Sequence, residues 1–204
     1  MYNVNQSIRK RPYSFIKQAL DILPKDIHSV IVEIGSMRKP CDHDLDDFSG
    51  ECCNDGHSSL LLARGASEFH TVDINMECSK LTRSQLKKYN FWSKSNVYCG
   101  DGIKFLKDFD KKIDLLYLDA WDVEYPQHAE MHLEAFKVAE SKLNDTSIIL
   151  IDDTDIGFSQ EKGYHNDEEC LGGKGKLLIP FLLEKKNFKI LFKGRQTGFI
   201  KTND

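Results

Sequence analysis

Short runs of consecutive apolar residues alternate with longer amphipathic stretches along most of the chain, the pattern of βα units feeding a largely parallel sheet. Two of the runs, Ile113-Asp-Leu-Leu-Tyr-Leu118 and Ser147-Ile-Ile-Leu-Ile151, are apolar enough to be strands buried on both faces. The spacing predicts helices over 13–23, 58–64, 79–91 and 103–109, a helix opened by Pro126 and running to 143, and a last helix over 176–186. Strands are predicted over 29–34, 68–73, 96–99, 113–118, 147–151, 188–192 and 197–202. The last two are joined by the short, glycine-bounded Gly194-Arg-Gln-Thr-Gly198, which predicts an antiparallel hairpin.

The buried runs end in acids. Asp119 follows the first, with Ala120-Trp-Asp122 behind it, and Asp152-Asp153 follow the second. The carboxyl edge of an open α/β sheet is where ligands bind, and carboxylates converging there repel one another unless a cation lies between them. All-oxygen ligation suits a hard divalent ion such as Mg2+. The earlier strands end in similar chemistry. Val32-Glu-Ile-Gly-Ser36 puts a glycine where backbone can approach a ligand, Asp73 can accept both hydroxyls of a ribose, and Cys99-Gly-Asp-Gly102 offers Asp101 to an adenine amino group. The glycine-rich pyrophosphate turn and the Walker phosphate loop are both missing, so the expected nucleoside ligand carries no phosphates.

Length and charge narrow the partners. At 204 residues the chain fits one domain, 1–204, with a core needing no staples. A net charge of -4 and scattered lysines argue against nucleic acid. No run approaches membrane-spanning length and no signal peptide opens the chain, so the expectation is a cytoplasmic protein with a small-molecule substrate, a homodimer being left open. The six cysteines show no disulfide framework and read as thiols or ligands.

On these residues the chain resembles the class I S-adenosylmethionine-dependent methyltransferases, most closely the small metal-dependent O-methyltransferases of the catechol and caffeoyl-coenzyme A type. The resemblance implies a Rossmann-like, mostly parallel seven-stranded sheet with helices on both faces and a C-terminal antiparallel hairpin. It implies S-adenosyl-L-methionine held by Glu33, Gly35, Ser36, Gly56, Ser58, Asp73, Ile74, Asp101, Gly102, Asp119 and Trp121, with Mg2+ on Asp119, Asp152 and Asp153. Such a metal would acidify and orient a hydroxyl for in-line attack on the sulfonium methyl. Where the family places a lysine to take the proton, this chain has Asp122, and nothing cationic lies between Asp119 and Tyr125. His128 and Asp122 are therefore the candidate bases.

The chain departs from the pattern after the first strand. An insertion of about residues 36–55 separates Gly35 from the predicted helix opening near Gly56 and Ser58. An acidic lid is the default reading, and Cys41, His43, Cys52, Cys53 and His57 make zinc an alternative. The stretch 158–175 is expected to be a second loop over the substrate. Two other functions stay open: a metal-independent methyltransferase acting on nitrogen, and a non-catalytic protein holding a nucleoside or metal.

Overall fold

The computed structural model describes residues 13–24, 28–42, 44–45, 57–165 and 172–203. In chain order its elements are α1 (Tyr13–Ile22), β1 (Val30–Ile34), α2 (Ser58–Gly65), β2 (Glu68–Asp73), α3 (Met76–Lys88), β3 (Ser95–Cys99), α4 (Gly102–Asp108) and β4 (Ile113–Leu118). There follow α5 (His128–Ala139), β5 (Leu143–Ile151), β6 (Gly157–Ser159), β7 (Gly163–His165), α6 (Leu178–Glu184), β8 (Phe188–Phe192) and β9 (Thr197–Lys201).

Seven strands pair in the order β3-β2-β1-β4-β5-β9-β8, and β9 alone runs against its neighbours. The order reverses between β1 and β4, so their carboxyl ends open a crevice. Alternation along the central strands sends side chains to opposite faces. Ile31, Leu115, Tyr117, Ile148 and Leu150 pack with Ile16, Leu60 and Leu86 under α1, α2 and α3. Val32, Ile34, Leu116, Leu118, Ile149 and Ile151 pack with Leu106, Phe136 and Leu182 under α4, α5 and α6. Each fully buried leucine or isoleucine contributes about 1.5–3 kcal/mol, which is what holds the crevice-forming strand ends in place.

Where the structure departs from the sequence expectation, a local cause is visible. α3 starts at Met76 rather than 79 because the Asn75 side chain caps it, accepting from the Glu77 amide at 2.9 Å. α5 starts at His128, and Pro126 lies in the turn before it. β5 begins at Leu143, four residues early, because a register shift between Ile113 and Leu115 lets 144–147 bulge out before pairing resumes at Ile148. The expected loop 158–175 contains an antiparallel hairpin, β6 with β7. No helix of the described residues is long and apolar enough to cross a membrane.

Candidate functional site

A cavity of about 450 Å³ lies over the carboxyl ends of β1, β2, β3 and β4. Its walls include Gly35, Ser36, Asp73, Ile74, Asp101, Gly102, Asp119 and Trp121, eight of the residues expected at the cofactor. Gly35 adopts φ +102, and a Cβ there would stand 2.9 Å from the Asp119 carbonyl oxygen, so glycine is what lets the backbone after β1 pass this close to the end of β4. Ser36 Oγ donates to Asp73 Oδ2 at 2.9 Å, while Asp73 Oδ1 accepts from the Asn75 amide at 2.8 Å. The Asp73 carboxylate is thereby fixed at the end of β2. Asp101 caps α4 by accepting from the Lys104 amide at 2.7 Å, so the same residue that starts the helix sits on the cavity wall.

Two of the residues assigned to the cofactor stand behind the wall instead. Glu33 is buried, accepting from Ser58 Oγ at 2.7 Å and Ser59 Oγ at 2.6 Å, and it ties β1 to α2. Burial pushes its carboxyl up to about 8, with the two serine hydroxyls opposing the shift. Gly56 lies outside the described residues, as do His43, Cys52 and Cys53 of the zinc alternative and the whole of the stretch 46–56. The described first part of that insertion lies against α3: the amides of Met37 and Cys41 donate to Thr82 Oγ1 and Gln85 Oε1.

Beyond the cavity wall the acids at the ends of β4 and β5 converge. Oxygens of Asp119, Asp152 and Asp153 lie within 4.8 Å of one another, as the sequence predicted. The cation among them was not predicted. Lys174 enters from the turn before α6, fully buried, with Nζ 2.7 Å from Asp119 Oδ1, 3.1 Å from Asp153 Oδ2 and 3.3 Å from Asp122 Oδ1. Burial alone would lower its pKa, but Asp119, Asp153, Asp152 and Asp122 outweigh it, so the amine stays an ammonium. Arg195 reaches Asp153 Oδ1 at 2.5 Å, Gln196 Nε2 donates to Asp152 Oδ1 at 2.9 Å and to the Tyr117 hydroxyl, and Arg38 holds Asp122 at 2.7 Å. Burial and the repulsion of Asp119 push Asp152 up to about 6. These residues as they stand do not fit a divalent ion. An ion close to the three carboxylates would meet an ammonium already bonded to two of them, and like charges at that distance repel strongly.

The two candidate bases part company here. Asp122 lines the cavity, and although burial would raise its carboxyl, Lys174 and Arg38 hold it below its ordinary value. His128 is not part of the wall, and its Nδ1 lies 2.8 Å from the Tyr125 carbonyl oxygen. His132, one turn on, is fully buried against the edge of Trp121, with Nδ1 donating to the His128 carbonyl. Burial, with the Lys174 charge behind it, drives its pKa down to about 3. Trp121 and Asp153 both hold φ +49, unusual for side-chain-bearing residues, and both sit at this cluster.

The fold is shared with solved structures. The fold is that of the class I methyltransferases. A putative caffeoyl-CoA O-methyltransferase from Staphylococcus aureus superposes with a TM-score of 0.62 at 15% identity, covering 94% of this chain and 83% of that one. The O-methyltransferase TomG of tomaymycin synthesis in Streptomyces achromogenes, solved with SAM, gives 0.60 at 16% identity over 85% of this chain and 73% of that one. The O-methyltransferase from Bacillus cereus, solved with SAH, gives 0.58 at 13% identity over 98% and 94%. No family model and no curated protein matches the sequence.

Proposed function

We propose that this protein is an S-adenosylmethionine-dependent methyltransferase acting on a hydroxyl of a small molecule. The observation that carries the reading is the cavity wall itself: a glycine at the end of β1, a carboxylate fixed by Ser36 at the end of β2 and another at the end of β3, all facing one space of cofactor size. O-methyltransferases of the same fold, two of them solved with SAM or SAH, support it. When bound, the cofactor supplies an electrophilic methyl on a sulfonium.

The acceptor side belongs to Asp119 and Asp122, the two acids of the cluster that reach the cavity. A hydroxyl that took up this methyl would have to give up its proton. Asp122 is the carboxylate on the cavity wall that would take it: Arg38 and Lys174 fix its direction, and their charges make it a weaker base than a free carboxylate. His128 gives way to it because it lies off the wall. Mg2+ on Asp119, Asp152 and Asp153, the expectation from the sequence, is the competing form of this reading, with Lys174 as the feature against it.

Calorimetric titration with S-adenosylmethionine tests the cofactor half. Binding is expected, weakened at least about tenfold by Asp73→Ala, a loss of roughly 1.4 kcal/mol. Absence of binding to the wild-type protein overturns the reading. Release of S-adenosylhomocysteine across a panel of alcohols, catechols, sugars and amines then identifies the acceptor, and release with amines alone overturns the hydroxyl assignment.

A further inference from the structure

We infer that Lys174 is the resident cation of this site: its ammonium fills the place between Asp119 and Asp153 that a divalent ion would take, and it excludes one. Three observations meet on this residue. The side chain has 0% exposure, so its charge has no water to fall back on and depends wholly on the carboxylates around it. Its contacts converge from separate parts of the chain, with Nζ on the side chain and main-chain oxygen of Asp119, on Asp153 and on Asp122. The backbone that delivers it is fixed too. The Lys174 amide donates to the Asp153 carbonyl at 3.1 Å, and Gly172 and Gly173 on either side of the turn's start hold φ +99 and +43 where any side chain would collide with backbone. The lysine is thus placed by its main chain against the very residue whose carboxylate it pairs with.

Other side chains draw on these carboxylates as well. Gln196 serves Asp152, Arg195 serves Asp153 and Arg38 serves Asp122, so four carboxylates face three fixed cations. Little negative charge is left for a doubly charged ion, and none of its approach is free of an ammonium. Lys174 does not line the cavity; it acts through Asp119 and Asp122, which do, and is a positioning residue. An acceptor fixed this way need not chelate. A compound with one hydroxyl fits as well as a vicinal diol or catechol, which removes chelation as a constraint on the acceptor class.

The test is a titration with Mn2+ alone, followed by electron paramagnetic resonance of the free ion. It uses neither cofactor nor acceptor, so its failure is distinct from a failure to bind S-adenosylmethionine. The wild-type protein is expected to show no site tighter than about 1 mM. Lys174→Met, checked for folding by circular dichroism, is expected to gain one Mn2+ site at least about tenfold tighter, with a metal-dependent rise in melting temperature. Adding Asp152→Asn should abolish the gain. If Lys174→Met does not fold, Lys174→Met/Asp122→Asn, which removes one cation and one anion together and keeps all three candidate ligands, is titrated instead. A stoichiometric wild-type site lost in Asp152→Asn overturns the inference. So does a folded Lys174 variant that gains no Mn2+ site, because the lysine would then be only a buried ion pair.

Discussion

A methyl group placed on Gly173 would stand 1.9 Å from the Asp153 carbonyl oxygen and 2.6 Å from that of Ile156, both main-chain atoms that cannot swing aside. The left-handed φ of +43 adds to the cost. Gly173→Ala should therefore lower the unfolding free energy by about 3 kcal/mol or more, measured by urea denaturation. An unchanged midpoint would mean that the turn does not press on the end of β5. The same geometry explains why Lys174 escaped the sequence. It lies 55 residues from Asp119, on no periodic element, and only its glycine-rich setting, Gly172-Gly-Lys-Gly175, hints that the backbone is being packed tightly for a purpose. Asp119 and Asp152 were legible because each directly follows a buried apolar run, with Asp153 next after Asp152, so the strand ends fix their place.

Between elements, the joint of β1 with α2 carries a pH dependence. Glu33 belongs to a strand buried at all five positions, and its carboxyl accepts from Ser58 and Ser59 of α2. Its pKa is raised from the unfolded 4.5 to about 8, so over that window the native state holds a proton that the unfolded chain releases. The sign follows from linkage: this contribution is fully present below about 4.5 and is lost as pH rises through about 8. Glu33→Gln, which stays neutral throughout, should match the wild type near pH 4.5 and gain on it steadily toward pH 8, by a few kcal/mol. Urea denaturation of both proteins at several pH values measures the gap, and parallel curves would show that Glu33 ionises as in the unfolded chain. The family motif suggested a cofactor contact for Glu33; pattern reading does not reveal which face of a strand end a residue takes when both faces are covered. The β6–β7 hairpin was equally hidden. Its strands are three residues long, too short for a period, and its aromatic pair, Phe158 against Tyr164, is held by the Tyr164 hydroxyl donating to Glu124 in the turn before α5.

Across the whole molecule, the site is a consequence of the sheet. Asp119, Asp152 and Asp153 come from two adjacent central strands, Lys174 from the turn before α6, and Arg195 and Gln196 from the connection between β8 and β9, so the cluster exists only while the sheet is complete. The antiparallel β9 is what brings that connection beside β5, and the sequence signalled it through the glycines at 194 and 198. Positions on the core-facing period should then dominate stability, whatever their distance from the cavity. Leu116 on β4 has no exposed surface and is packed among the residues under α4, α5 and α6, whereas Leu183 on α6 is 57% exposed. Leu116→Ala deletes buried methyl groups and leaves a cavity that close-packed neighbours cannot fill, which costs about 2–5 kcal/mol. Leu183→Ala changes a side chain already largely in water and should fall within about 0.5 kcal/mol of the wild type. Denaturant unfolding of the two variants distinguishes them. Comparable losses would show that α6 is covered by something beyond the described chain, since only an occupied surface makes Leu183 as costly to trim as a leucine of the central sheet.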